Sequence, residues 1–238
     1  MARRGGGVPT LNRALVAAIR KELKRRADPV KAPQMRAYMK SAMPYLGVQT
    51  PALREACRLA FSAHPLTSFE DWRDTVLAIW RDARYREHRY AALLLTGERR
   101  YRDYQTLAAL PLYEELIVTG AWWDYVDLIA SKRIGLLLRR YPDRMRATMR
   151  AWSRSTDMWK RRTAILCQLS FKADTDVSLL YDCIEPNLGD KEFFIRKAIG
   201  WALRQLAWTD AHEVRRYVAK NRARLSALST REALKNIG

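Results

Sequence analysis

The stretch GDKEFFIRKAIGWALRQLAWTD, Gly189 to Asp210, decides the fold. Its residues 191–207 carry a helical period, and Gly189-Asp190 and Thr209-Asp210 bracket them with a break and a cap. The same grammar recurs on both sides. Toward the C-terminus, helical patterns cover 211–222 and 230–236. Toward the N-terminus they cover 175–184, 157–171 (opened by Ser155-Thr156-Asp157) and 143–153, the last following Tyr141-Pro142. Further back lie Ala121–Ala130, opened by a break at Thr119-Gly120, then Tyr104–Val118, Tyr85–Leu95 and Phe69–Asp82. Gln49-Thr50-Pro51 reads as a helix start, with Thr50 as cap and Pro51 in the first helical position. Leu11, Leu15, Ala18, Ile19 and Leu23 trace one face of a first helix capped by Thr10. No stretch alternates with period two between turn signals. The chain is therefore expected to be all-α, with a dozen or more short helices joined by brief links. Short links make neighbouring helices antiparallel, which gives an α-solenoid of stacked antiparallel helix pairs repeating every 35–45 residues or so. The alternative is a globular helical bundle. Residues 10–238 are expected to form one such domain, behind a disordered basic arm at 1–9.

Composition agrees with this reading and excludes several others. Among 238 residues there are only 10 Gly and 9 Pro, too few for an all-β chain with its frequent turns. No G-x-G-x-x-G and no P-loop occurs, so a nucleotide-phosphate cradle of either kind is absent. Cys57, Cys167 and Cys183 are widely spaced and include no C-x-x-C, which excludes a disulfide scaffold and a zinc finger and fits a reducing compartment. His64, His88 and His212 lie singly, so no metal and no cofactor is expected. MARRGGGVPT lacks an apolar continuation of the signal-peptide type, and the longest apolar runs, such as Ala91–Leu95, are far shorter than a membrane span. The expectation is a cytoplasmic monomer with no membrane partner.

Charge narrows the partner. With 44 Lys+Arg against 25 Asp+Glu the chain carries a formal charge of +19, yet 48% of it is hydrophobic, so this is a folded polycation rather than a disordered tail. Arg139, Arg140, Arg144, Arg146, Arg150 and Arg154 crowd one stretch, with Lys160, Arg161 and Arg162 following. Basic residues gathered on a solenoid's concave wall would make a groove for a phosphate backbone. A solvated helix face is the alternative for many of them.

The most unusual stretch is Glu114–Asp127. Trp123 and Asp127 stand four apart and share a helix face, whereas Trp122 and Asp124 point elsewhere. Tandem tryptophans are commonly core, but a carboxylate one turn from a Trp resists burial without a partner. Arg162 is available either as that partner or for a phosphate.

These residues resemble the AlkD family of HEAT-like-repeat DNA glycosylases. The likeness runs from about Lys31 to Ile237 and is densest at Tyr38-Met39-Lys40, Gly47–Pro51, Glu114–Asp127, Arg162–Leu169 and Lys191–Trp201. It implies HEAT-like repeats with a catalytic trio on Trp123, Asp127 and Arg162 and a second aromatic wall at Trp201. It also implies DNA contacts from Tyr38, Gln49, Pro51, Arg54 and Arg204. Phe193 and Phe194 match an aromatic pair of the family and are expected to pack. The implied activity is excision of cationic N3- or N7-alkylated purines, such as 7-methylguanine and 3-methyladenine, from double-stranded DNA in base excision repair. The chemistry suits the residues: a carboxylate stabilises an oxocarbenium-like sugar, indole faces attract a cationic base, and Arg162 grips a flanking phosphate. Two alternatives stand beside it: a glycosylase specialised for bulky genotoxin adducts, and a non-catalytic HEAT-like module that binds DNA or RNA.

Overall fold

The structure, a computed structural model, describes residues 11–237. Every regular element among them is helical. They fall into two compact units, one ending at Tyr104 and one beginning at Gln105. The expected arm at 1–9 lies outside the described residues.

The first unit holds α1 (Arg13–Arg25), α2 (Lys31–Met39), α3 (Thr50–Ala63), α4 (Phe69–Arg81) and α5 (Arg86–Thr96). Helix α1 starts where Asn12 accepts the Leu15 backbone N–H at 2.9 Å. Asn12 is thus the cap; Thr10 lies outside the described residues. The cap position of α3 is Gln49, which makes no side-chain capping bond, and Thr50 is already helical. α1 packs on α3 and α4 on α5, burying Leu15, Ile19, Leu23, Leu53, Trp72, Val76 and Trp80. Helix α2 has no counterpart in the sequence reading, for a physical reason. It buries only Met39, so it carries no apolar stripe.

A buried carboxylate shapes the loop between α2 and α3. Glu87 of α5 is fully buried and accepts backbone N–H groups of Leu46, Gly47 and Val48 at 2.9–3.1 Å. Gly47 sits at φ +87°, and a Cβ there would lie 2.0 Å from the Asp28 carbonyl oxygen, so only glycine fits. Glu87 therefore fixes the chain that leads into Gln49, Pro51 and Arg54.

His88, beside it in sequence, makes the unit acid-sensitive. It is 5% exposed, and burial, then the charges of Arg20 and Arg84, push its pKa down to about 4. The unfolded value is about 6.5, so the folded state binds fewer protons. The resulting stability is complete above about pH 6.5 and drains away as pH falls toward 4, up to about 3 kcal/mol in all. His88→Gln cannot titrate. Its unfolding free energy should fall less than that of the wild type between pH 7 and 4.5; parallel losses would contradict the assignment.

The second unit contains α6 (Leu110–Gly120), α7 (Trp123–Leu128), α8 (Gly135–Arg140), α9 (Pro142–Trp152), α10 (Met158–Leu166), α11 (Val177–Ile184), α12 (Phe193–Ala207), α13 (Ala211–Lys220) and α14 (Ala227–Leu234). The helix expected from Tyr104 starts only at Leu110, with Pro111 in its first turn. Ala121, expected to open the next helix, instead ends α6 in a left-handed conformation at φ 44°. The segment expected to stop at Ala130 continues through a π-helical turn, Ile129–Ile134, straight into α8.

A repeat is plain in this unit. Pro142, Val177 and Ala211 open alternate helices 35 and 34 residues apart, and Met158, Phe193 and Ala227 do the same. Trp123 precedes Met158 by a further 35. Helices α7, α10, α12 and α14 form one stack and pack in that order, while α9 and α11 pack in a second layer. The period lies at the short end of the expected range.

Salt bridges join successive repeats. Arg139, Arg146, Arg150 and Arg161 reach Asp174, Asp176, Asp182 and Asp190 at 2.8–3.0 Å, partners 29 to 35 residues further on. Part of the arginine-dense stretch thus ties neighbouring helix pairs together instead of standing open as a basic wall. The three cysteines are buried free thiols, and burial raises those of Cys57 and Cys183 to about 12, which leaves them unreactive.

Candidate active site

The 35-residue register gathers three charged groups of the second unit. Asp127, Arg162 and Lys197 each occupy the fifth position of their helices, α7, α10 and α12. Stacking those helices in order brings the three positions to one side. Together with Trp123, Phe193, Phe194, Trp201 and Arg204 they line a cavity of about 350 Å³. Each contributor is set by local sequence. Trp122 is extended and α7 begins at Trp123, so the indole and the Asp127 carboxylate stand one turn apart on one face. Asp157 caps α10 by accepting the Lys160 N–H at 2.9 Å, which fixes the helix carrying Arg162.

Arg162 is the buried partner of Asp127. Its Nε and Nη2 donate to the two carboxylate oxygens at 2.7 and 2.8 Å, and its Nη1 donates to the Phe194 carbonyl oxygen. The arginine is only 3% exposed. Of the two roles open to it, the carboxylate is what it holds; all three guanidinium nitrogens are engaged inside the protein. Such a two-point contact fixes the plane of the carboxylate as well as its position. Burial raises the Asp127 pKa, against the lowering pull of Arg162. The turn that follows is the π-helical one, where Ser131 donates its hydroxyl to the Asp127 carbonyl oxygen at 2.7 Å. A π-turn widens the helix locally, and such turns are frequent at functional sites.

Aromatic rings back the pair. Phe194 packs against Trp122 and Trp159, with ring centroids 5.6 and 5.1 Å away. Trp122 thus packs among these rings, and Trp123 forms cavity wall. Phe194 packs as expected, but Phe193 does not: it is 54% exposed and faces the cavity, edge-on to Phe194 at 5.4 Å. Trp201 forms the half-buried wall on α12. On either side of it, one turn away, stand Lys197 and Arg204, and both bind the carboxylate of Glu232 on α14 at 2.7 and 2.8 Å.

Trp123, Asp127, Arg162, Trp201 and Arg204 therefore meet at one cavity. Tyr38, Gln49, Pro51 and Arg54 belong to the first unit, where all four are exposed. Lys197 and Glu232 were not read as site residues, and Phe193 was expected to pack instead of facing the cavity. The signal for Lys197 was present as the 35-residue step from Asp127 to Arg162 to Lys197. Glu232 has no such signal, because only the packing of α14 on α12 brings it to the site. No three side chains of metal-ligating type converge among the described residues, and no described helix is long and apolar enough to cross a membrane.

Residues 19–237 match a protein family described as DNA alkylation repair enzyme. A solved structure described as a predicted DNA alkylation repair enzyme from Enterococcus faecalis is similar over 90% of this chain and 97% of its own, at 26% identity and a TM-score of 0.80. No curated protein matches.

Proposed function

The chain belongs to the DNA alkylation repair enzyme family, and we propose on that basis that it is a monofunctional DNA glycosylase. It hydrolyses the N-glycosidic bond of cationic N3- or N7-alkylated purines in duplex DNA. One observation carries the reading: a half-buried carboxylate, Asp127, held in plane by the buried Arg162 beside the indoles of Trp123 and Trp201 at an open cavity.

The reaction asks for little more. As the C1′–N bond breaks, its electron pair goes to the departing base, which leaves neutral because alkylation had made it cationic. Positive charge then develops on the sugar, and a carboxylate in a low-dielectric site stabilises it strongly. Water adds at C1′ and gives up a proton, which Asp127 can accept or pass to solvent. The abasic sugar keeps the new hydroxyl. No general acid is required, in keeping with a cavity wall that carries Asp127 as its one carboxylate. The indole faces attract the cationic base and the developing sugar cation alike. Arg162 serves by fixing the carboxylate.

The test is to incubate the protein with duplexes carrying 7-methylguanine and to quantify the free base, correcting for spontaneous loss. Release at the uncatalysed rate would refute the proposal.

The +19 charge sets a second expectation. Binding to lesion-free duplex should weaken from 50 to 200 mM salt, with log K falling against log salt by about 0.9 for each phosphate contacted. An affinity indifferent to salt would show that the charge does not face DNA.

A further inference from the structure

Glu232 is a buried acid with no part in the chemistry above. It lies on α14, is 8% exposed, and binds Lys197 Nζ at 2.7 Å with one oxygen and Arg204 Nη1 at 2.8 Å with the other. Both cations line the candidate cavity on either side of Trp201. Seven residues separate them on α12, about 10 Å of helix rise, so two unconstrained heads would stand well apart. One carboxylate draws them together.

The backbone is cut to allow this. Gly200 faces α14, and a Cβ on it would lie 2.5 Å from the Glu232 Cβ and 2.8 Å from the Ser229 carbonyl oxygen. Glycine lets α14 approach closely enough for the carboxylate to reach both Lys197 and Arg204. Two cations against one carboxylate leave a positive charge unbalanced, directed at a cavity whose other ion pair, Asp127 with Arg162, is already neutral. Both cations hold the glutamate in its ionised form, with Lys197 the larger influence.

We propose that Glu232 is a positioning residue that converges Lys197 and Arg204 into a clamp for a single DNA phosphate beside Trp201. The inference rests on the DNA reading above and gives this pair the phosphate-binding task for which Arg162 is too buried. Two cations can then serve two anions, the glutamate behind and the phosphate in front. Once Glu232 loses its charge, the two heads repel one another and separate.

Simple charge counting predicts the opposite result, which makes the test sharp. If Glu232 only dilutes positive charge, Glu232→Gln should bind duplex more tightly. If it positions the clamp, Glu232→Gln should raise KM for a 7-methylguanine duplex about three- to tenfold with kcat little changed. The salt slope for unmodified duplex should also become shallower by about 0.9, the loss of one phosphate contact. Gly200→Ala changes no charge but pushes α14 away, and should move KM in the same direction. Lys197→Met should cost less in the Glu232→Gln background than in the wild type, because the clamp is already open. Thermal unfolding of each variant establishes that it folds, and the salt slope reads the clamp even if no base is released. Absence of excision by the wild type would sink the glycosylase reading alone. An unchanged or lower KM in Glu232→Gln, or an unchanged salt slope, would overturn the clamp.

Discussion

Asp127→Asn should excise 7-methylguanine roughly 10²–10³-fold more slowly than the wild type, the scale on which losing one strong electrostatic stabiliser acts. Asparagine keeps the shape of the side chain, removes the charge that faces the developing sugar cation, and turns one of the two oxygens that accept from Arg162 into a donor amide nitrogen. Duplex binding should not weaken, because a negative charge has been taken from a basic protein. A cost in stability is also expected. Arg162 is 3% exposed and would keep its charge while losing its counter-ion. Rates must therefore be taken well below the variant's own unfolding temperature. Asp124→Asn, on another face of the same helix, serves as the control and should leave the rate nearly intact. Spontaneous loss of 7-methylguanine sets a floor that has to be subtracted. A folded Asp127→Asn that works at the wild-type rate would show that the carboxylate is not the stabiliser, and a DNA-binding role without chemistry would gain.

Helix content was legible in the sequence because it is written locally. The cap at Asp157, the proline at 51 and the break before Phe193 all act within a few residues, and each helix appears where those signals fall. What was missed depended on distant contacts. Helix α2 has almost no buried face, so its sequence holds no period to read. The run through Ile129–Ile134 into α8 extends a helix that the sequence reading ended at Ala130, since a π-turn shifts the period by one residue and hides its continuation. Trp123, Asp127 and Arg162 were visible as unusual residues, and only their meeting needed the fold. The basic stretch misled in part: Arg146 and Arg150 count as free charge in a sequence, but Asp176 and Asp182 lie opposite them in the next repeat. A charge run says how many cations there are and nothing of how many are already paired.

The same reasoning predicts that the Asp127–Arg162 pair is retained for its chemistry rather than for the fold. Arg162→Met should unfold with up to about 3 kcal/mol less free energy at pH 7, because it strands a carboxylate that is largely shielded from water. That deficit has a pH signature. Without the guanidinium, burial raises the Asp127 pKa further above its unfolded value, so the folded state holds a proton that the unfolded state releases. Stability is then favoured at low pH and lost as pH rises through the folded value. The gap between Arg162→Met and wild type should therefore narrow from pH 7 to pH 5. Replacing both partners, with Asp127→Leu added to Arg162→Met, removes the stranded charge and should recover most of the lost stability, since apolar side chains of similar volume substitute well for a buried ion pair. Excision should stay at least about 100-fold down in both variants, for want of an oriented carboxylate. A double variant as unstable as the single one would mean that the pair holds the helices together. A stable double variant that still releases base would remove Asp127 from the mechanism altogether.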